Sequence, residues 1–144
     1  MEPYTGVQPL LLKQPIIIQM YETDYAGVIS NVEYIRWLEV LRRALMDTYS
    51  STRELIQQDV ALAVHTLNIT YRRPVFTLDE LEGRVWIEKM GRTSIFFRYE
   101  LLVDGMVRTT AAQRCVFLNI KTGKQCRVPD GIRIPFQAVE TDSE

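Results

Sequence analysis

The spacing of the apolar residues changes once along this 144-residue chain, and that change limits the folds open to it. From about Val32 to Asp47, apolar residues recur at the spacing of one face of an α-helix. From Leu62 to about Ile120, they alternate with polar residues, as in half-buried strands. The sequence therefore predicts one amphipathic helix followed by a run of strands.

The predicted helix has an apolar arc, which packs on a core, and a charged outer side. The arc consists of Tyr34, Trp37, Leu38, Leu41, Ala44 and Leu45. The charged side consists of Glu33, Arg36, Glu39, Arg42, Arg43 and Asp47. Beyond it, Ser50 or Ser51 predicts the cap of a short second helix through Gln58, because Glu54 stands at capping-box spacing from Ser51.

Five strands are predicted around this helix. The β-branched run from Ile16 to Glu22 precedes it, and the alternating runs follow it, with Leu62, Val64 and Thr66 expected on one face. Asp104-Gly105 predicts a two-residue hairpin between the last two strands. We therefore predict an α+β domain in which a curved five-stranded antiparallel sheet is wrapped around one long central helix. This single domain spans residues 1–144, with an extended arm over the first dozen residues and a polar tail from Glu140.

Composition excludes several classes of function. The formal net charge of −1 argues against a nucleic acid or a membrane surface held by a general field. No apolar run approaches the ~20 residues that span a bilayer, and the N-terminus has no signal-peptide pattern. Cys115 and Cys126 are expected to be reduced thiols of a cytoplasmic protein. His65 is the only histidine, so we expect no metal and no cofactor.

The segment from Thr23 to Glu39 carries the strongest functional signal. Asp24 stands at the end of a predicted strand, Gly27 follows in a turn, and the helix then opens. This order aims a carboxylate and the unpaired N–H groups of a helix N-terminus into one small volume. One part supplies an anion or base and the other stabilises an oxyanion, which suits hydrolysis of a polarised carbonyl. Asp24 could also simply cap the turn, and the two roles are compatible.

The same segment resembles the hotdog-fold acyl-CoA thioesterases, in particular the 4-hydroxybenzoyl-CoA thioesterase-like branch. The matching residues are Asp24, Gly27, Val28, Ile29, Asn31, Tyr34, Trp37, Leu38 and Glu39. Residues 70–74, 91–94, 119–124 and 128–129 are similar to further family segments in the same order, so the resemblance extends over roughly residues 14–130, the expected core. Val28 stands where many relatives carry histidine, and Ser30 where others carry Asn, Tyr or Trp.

The resemblance implies roles for individual residues. Asp24 would be the nucleophile or general base, Gly27 would let the substrate carbonyl approach, and the backbone N–H of Asn31 would donate to the oxyanion. The acyl-CoA substrate would contact Tyr25, Val28, Ile29, Tyr34, His65, Arg92 and Ser94, with Arg92 suited to phosphate. From the residues alone, Tyr34 is favoured as core, and His65 as structural or substrate-lining. The resemblance also implies a homodimer or homotetramer with active sites between protomers.

Three alternatives stay open. The first is the same hydrolysis on an acyl carrier protein, which would need a basic surface patch for its acidic partner. The second is a non-catalytic acyl-CoA-binding domain. The third is a hydratase on the same fold, against which the absence of a histidine near the helix start counts. The acyl group, whether aromatic, 1,4-dihydroxy-2-naphthoyl or aliphatic, is also left open.

Overall fold

The computed structural model describes residues 1–24 and 26–143 of the chain. Tyr25, a predicted substrate contact, lies outside the described residues. Short 3-10 geometry at Met20–Glu22 separates the first strand from the first helix. The remaining elements, in chain order, are β1 (Leu12–Ile16), α1 (Asn31–Tyr49), α2 (Thr52–Gln57), β2 (Val60–Tyr71), β3 (Leu81–Met90), β4 (Ser94–Val103), β5 (Met106–Asn119) and α3 (Asp130–Ser143).

The five strands form one antiparallel sheet in the order β1-β3-β4-β5-β2, so β1 and β2 are its edges. The helix α1 packs on one face of this sheet. Its buried side chains Tyr34, Trp37, Leu38, Leu41 and Leu45 join alternate residues of β3, β4 and β5 in the main core. The predicted α+β architecture and the predicted apolar arc of the helix are confirmed, except that Ala44 is half-buried and Glu33 of the charged side is buried.

A β-bulge in β2 reverses which residues face the core. The pairing with β5 runs from Val64↔Cys115 directly to Thr66↔Arg114, which leaves His65 as the extra residue. One inserted residue moves the following side chains to the other face of a strand. As a result Leu67 and Ile69, rather than Thr66, pack against the core together with Leu62. The prediction that Leu62, Val64 and Thr66 share one face is therefore wrong beyond the bulge.

The first strand lies earlier than predicted. The sequence predicts Ile16 to Glu22, whereas β1 ends at Ile16 and the chain then leaves the sheet. Glu22 explains the difference, because its carboxylate accepts hydrogen bonds from Gln19 N and from Trp37 Nε1. These bonds hold the segment against α1. The strand-like spacing of its apolar residues does not predict them.

The segment after the predicted core forms the helix α3, whose end from Glu140 to Ser143 is the described part of the predicted polar tail. Ile132 and Phe136 are buried in the main core, which therefore extends beyond the predicted limit near residue 130. The sequence pattern does not predict this helix, because the segment carries Pro129, Gly131 and Pro135, and all three residues are typical of turns. Of the helices in residues 1–24 and 26–143, none combines the length and the apolar character needed to cross a membrane.

Candidate active site

Asp24 opens a tight turn that leads into α1. Asp24 N donates to Val28 O at 2.9 Å, and Gly27 N donates to Asp24 O at 3.1 Å. Gly27 has a φ of +75°, a conformation that residues with a Cβ rarely adopt. The glycine of the motif is therefore required by the turn itself.

The carboxylate of Asp24 is exposed and oriented by this turn. Its Oδ1 accepts from Ala26 N at 2.9 Å and from Val28 N at 3.3 Å. The capping role considered for Asp24 is thus present. Among the described residues no donor contacts Oδ2, so one oxygen fixes the group and the other faces away from any described protein partner.

The turn is anchored to the segment that follows β2. Gly27 O accepts from both Thr77 N and Thr77 Oγ1 at 3.2 Å, and Ile29 N donates to Val75 O at 3.1 Å. Tyr34 continues this support from α1, since its hydroxyl accepts from Val75 N at 3.1 Å. The Asp24 turn, the segment after β2 and the start of α1 are thereby held together.

Two of the predicted substrate contacts belong to this support. Tyr34 is 2% exposed and Ile29 is 3% exposed, so both lie in the core. The Tyr34 ring packs edge-on against Tyr71, with ring centroids 4.9 Å apart. Burial raises the pKa of the Tyr34 hydroxyl, which keeps it protonated. Of the predicted acyl-lining residues in this turn, Val28 is half-buried and presents surface.

The start of α1 offers free backbone donors beside the turn. Ser30, the N-cap residue, makes no side-chain capping bond, and its N–H donates to Glu22 O at 3.1 Å. Glu33 N donates to Ser30 O at 3.0 Å. The N–H groups of Asn31 and Val32 find no acceptor within residues 1–24 and 26–143. These are the groups that carry the partial positive charge of a helix N-terminus.

Glu22 is a positioning residue that sequence reasoning missed. It is 5% exposed, and Trp37 Nε1 donates to its Oε2 at 2.8 Å. The backbone carbonyl of Glu22 also accepts a hydrogen bond from Ser30 N. Glu22 therefore connects the 3-10 segment, the N-cap and the middle of α1. The available signal was a glutamate two residues before Asp24, at the end of a mostly apolar run.

Arg92 and Ser94 lie at the other end of the sheet. Ser94 is buried and pairs with Val116, which pairs with Ala63 near the start of β2. The Asp24 turn is anchored just beyond the opposite end of that strand. The eight positions from Ala63 to Tyr71 span roughly 25 Å at the rise of a β-strand. Within one chain the structure therefore does not bring Arg92 and Ser94 to Asp24.

The strand β2 carries His65 and ends beside the Asp24 turn. His65 is exposed at the bulge, midway along the strand. No strand among the described residues pairs with the outer edge of β2. Near this edge and on α1, Val64, Tyr71, Phe76 and Ile35 are each more than 40% exposed. Long unpaired edges with apolar neighbours are commonly paired or covered in proteins.

Cys115 and Cys126 are free thiols, as predicted. Cys115 is fully buried, and burial raises its pKa to about 11, so it is not activated as a nucleophile. In the part of the chain that the structure describes, no three His, Cys, Asp or Glu side chains gather closely enough to hold a metal ion.

The family model described as the thioesterase-like superfamily matches residues 18–136, which include the Asp24 turn, α1 and the strands β2 to β5. The chain belongs to this superfamily. The resemblance drawn from the sequence is confirmed, and so is the enzyme class, a thioester hydrolase.

Individual relatives of the chain agree with this assignment. The chain is 24% identical over 132 residues to a 1,4-dihydroxy-2-naphthoyl-CoA hydrolase of Prochlorococcus marinus, covering 85% of this chain and 86% of the relative. A DHNA-CoA thioesterase of Staphylococcus aureus has a similar structure, with a TM-score of 0.76, 23% identity, and coverage of 92% of this chain and 89% of that one.

A second Staphylococcus aureus protein, solved in complex with CoA, superposes with a TM-score of 0.85 at 11% identity, covering 96% of this chain and 89% of that one. These structures and the family match confirm the hotdog fold, with its curved five-stranded antiparallel sheet.

Proposed function

We propose that the protein is an acyl-CoA thioesterase that hydrolyses its substrate to a free carboxylic acid and coenzyme A at the Asp24 turn. One observation carries the proposal: an exposed Asp24 carboxylate with a free oxygen lies in the turn that leads into α1, whose first two residues, Asn31 and Val32, have free N–H groups. The loop falls within the region matched to the superfamily. A structural neighbour in complex with CoA supports that choice of thiol.

In the proposed reaction, the thioester carbonyl lies over residues 27–31 and its oxygen accepts from Asn31 N–H. As the carbonyl is attacked, negative charge develops on that oxygen. A preorganised backbone donor that stabilises this charge raises the reaction rate by about 10²–10³-fold. The open face of Gly27 supports this position, because nothing lies within 4 Å of where a Cβ would stand.

Asp24 supplies the other half of the chemistry by one of two routes. Its Oδ2 can attack the carbonyl carbon, which expels the thiolate of CoA and leaves a mixed anhydride that water then hydrolyses. Alternatively, the carboxylate removes a proton from a water molecule, which attacks the carbonyl directly as the thiolate leaves. In both routes, the hydrogen bonds from Ala26 and Val28 hold the carboxylate in place.

We propose that two copies pair to complete the site. Antiparallel pairing of two β2 edges, centred near His65, places the Val60 end of one strand beside the Tyr71 end of the other. Arg92 and Ser94 from a second copy then approach the Asp24 turn, from which they are distant within one chain. Arg92 is exposed and suited to a CoA phosphate. Analytical ultracentrifugation decides between the dimer, the tetramer built from it, and an active monomer, which would contradict the pairing.

For the acyl group, we propose an aromatic acid first, because the Prochlorococcus and Staphylococcus relatives are both named for 1,4-dihydroxy-2-naphthoyl-CoA. Val28 and His65 are the described lining candidates that present surface.

The free thiols fit the expected cytoplasmic location, where cysteines stay reduced.

The test is a panel of thioesters with detection of released thiol. It should include 1,4-dihydroxy-2-naphthoyl-CoA, 4-hydroxybenzoyl-CoA, aliphatic acyl-CoAs of several lengths and an acyl carrier protein thioester. Release from an aromatic CoA ester supports the proposal. Release from the carrier protein thioester alone would show that the substrate is an acyl carrier protein rather than an acyl-CoA. Release from none of the thioesters would favour the alternative of a non-catalytic acyl-CoA-binding domain.

A further inference from the structure

The outer face of the sheet carries a cavity separate from the Asp24 turn. Alternate residues of β4, from Ile95 to Val103, belong to the core beneath α1, so Arg98 and Glu100 lie on the opposite face. A cavity of about 730 Å³ lies on that face, within the usual ~300–1,000 Å³ of small-molecule sites. None of the described residues from 22 to 31 lines it. The cavity is therefore independent of the hydrolytic site proposed above.

The N-terminal arm forms the roof of this cavity. Met1 O accepts from Val107 N at 2.7 Å, and Pro9 O accepts from Ile87 N at 2.9 Å, so residues 1–9 are held across the outer face at two points. Between these points Tyr4 N donates to Glu100 Oε2 at 3.0 Å. Strands make the floor, and the arm covers part of the opening.

Glu100 lines this cavity and has one carboxylate oxygen without a donor among the described residues. The residue is 4% exposed, and its Oε1 has no hydrogen-bond partner in the described part of the chain. Burial raises the pKa of the carboxyl, while the Tyr4 N–H and the charge of Arg84 act in the opposite direction. A buried carboxylate oxygen without a donor is costly, and a ligand that donates an N–H group to it would offset that cost.

The remaining walls favour an organic cation. The Tyr4 and Trp86 rings stack with centroids 5.6 Å apart and planes 16° apart, and both line the cavity. Aromatic faces attract cations within about 6 Å. Arg98 and Glu88 of the lining are paired with each other at 2.9 Å. Among the lining glutamates, Glu100 is the buried one, and its carboxylate favours a cationic ligand over an anion.

We propose that this cavity is a second ligand site, which binds an organic amine with its ammonium group on Glu100 Oε1 and its apolar body against Tyr4 and Trp86. The ammonium supplies the donor that Glu100 lacks, and the stacked rings hold the body. The proposal does not depend on the thioesterase reaction.

Isothermal titration calorimetry of the full chain with 2-phenylethylamine tests whether the cavity binds an organic amine. The controls are 2-phenylethanol, which has the same body without the charge, and phenylacetate, which carries the opposite charge. The amine should bind about tenfold more tightly than either control. Absence of amine binding, or equal binding of the amine and the alcohol, would overturn the proposal.

Two variants locate the binding. Glu100→Gln keeps an oxygen for Tyr4 N–H but removes the charge, and it should weaken amine binding about tenfold. Tyr4→Ala removes a side chain from a residue that is 53% exposed, so it should leave the fold intact while weakening binding about threefold. Glu80→Gln, an exposed glutamate outside the lining, is the charge-matched control and should bind as the wild type does.

If Glu100→Gln fails to fold, Tyr4→Ala decides. Wild-type affinity in a folded Tyr4→Ala or a folded Glu100→Gln protein would refute the site. Thioester hydrolysis by both variants should stay at the wild-type rate, so a failure of the amine site and a failure of the proposed hydrolysis are distinguishable.

Discussion

Two carboxylates stand on either side of Thr23, and their surroundings differ completely. Glu22 is buried, and its two carboxylate oxygens accept from Gln19 N and Trp37 Nε1. Asp24 is exposed, and only its Oδ1 accepts from described residues. A fully satisfied carboxylate holds structure together, whereas a carboxylate that is oriented on one side and open on the other can act on a substrate. The same functional group thus has two opposite environments within three residues.

Removing the charge of Asp24 should have the largest effect. Asp24→Asn keeps an oxygen for the N–H groups of Ala26 and Val28, so the turn should persist. Turnover should fall by about 10²–10⁴-fold, on the scale of losing a positioned acid–base group. Thiol-release kinetics measure the rate, and circular dichroism checks the fold. A folded Asp24→Asn protein with wild-type turnover would show that the open carboxylate does no chemistry.

Glu22→Ala should act on stability. It leaves Trp37 Nε1 buried without an acceptor, and we expect the free energy of unfolding to drop by about 3 kcal/mol in urea denaturation. Glu22→Gln, which retains an acceptor, is the matched control and should lose about half as much. If Glu22→Ala unfolds at the wild-type urea concentration, Glu22 does not hold the segment on α1.

Gly27→Ala should produce a smaller loss of stability. A Cβ at this position meets no atom within 4 Å, so steric contact contributes nothing. The cost is conformational, about 1–2 kcal/mol for an L-residue in the left-handed region at φ +75°. Urea denaturation gives the value, and the control is Gly105→Ala, a hairpin glycine at φ +76° with equally open surroundings. A loss at Gly27 far above that at Gly105 would point to strain beyond the backbone.

Val28→Phe should have the smallest effect, and on selectivity alone. The Val28 N–H that donates to Asp24 is unchanged, while the half-buried side chain grows. Rates should fall about tenfold for bulky or long acyl groups and stay near wild type for the smallest, since apolar pockets discriminate by about 1–3 kcal/mol. Competition between two acyl-CoAs of different length measures the shift. An equal loss for all acyl groups would place Val28 outside the acyl pocket.

The sequence by itself determined the helix from its apolar arc, the antiparallel strands from their alternation, and the Asp24–Gly27 turn from its motif, because each depends on residues close together in the chain. Only the tertiary structure decided the parts that depend on distant partners. Glu22 is held by Trp37, 15 positions away. The bulge at His65 depends on pairing with β5.

Similarly, α3 is stabilised by burying Ile132 and Phe136 in the main core despite its turn-forming residues, and Arg92 and Ser94 are separated from Asp24 by the length of a strand. The cavity over Glu100 exists because an arm without periodicity is fastened at Val107 and Ile87. Spacing along a chain reports local backbone geometry, whereas these features follow from hydrogen bonds and packing between residues far apart in sequence.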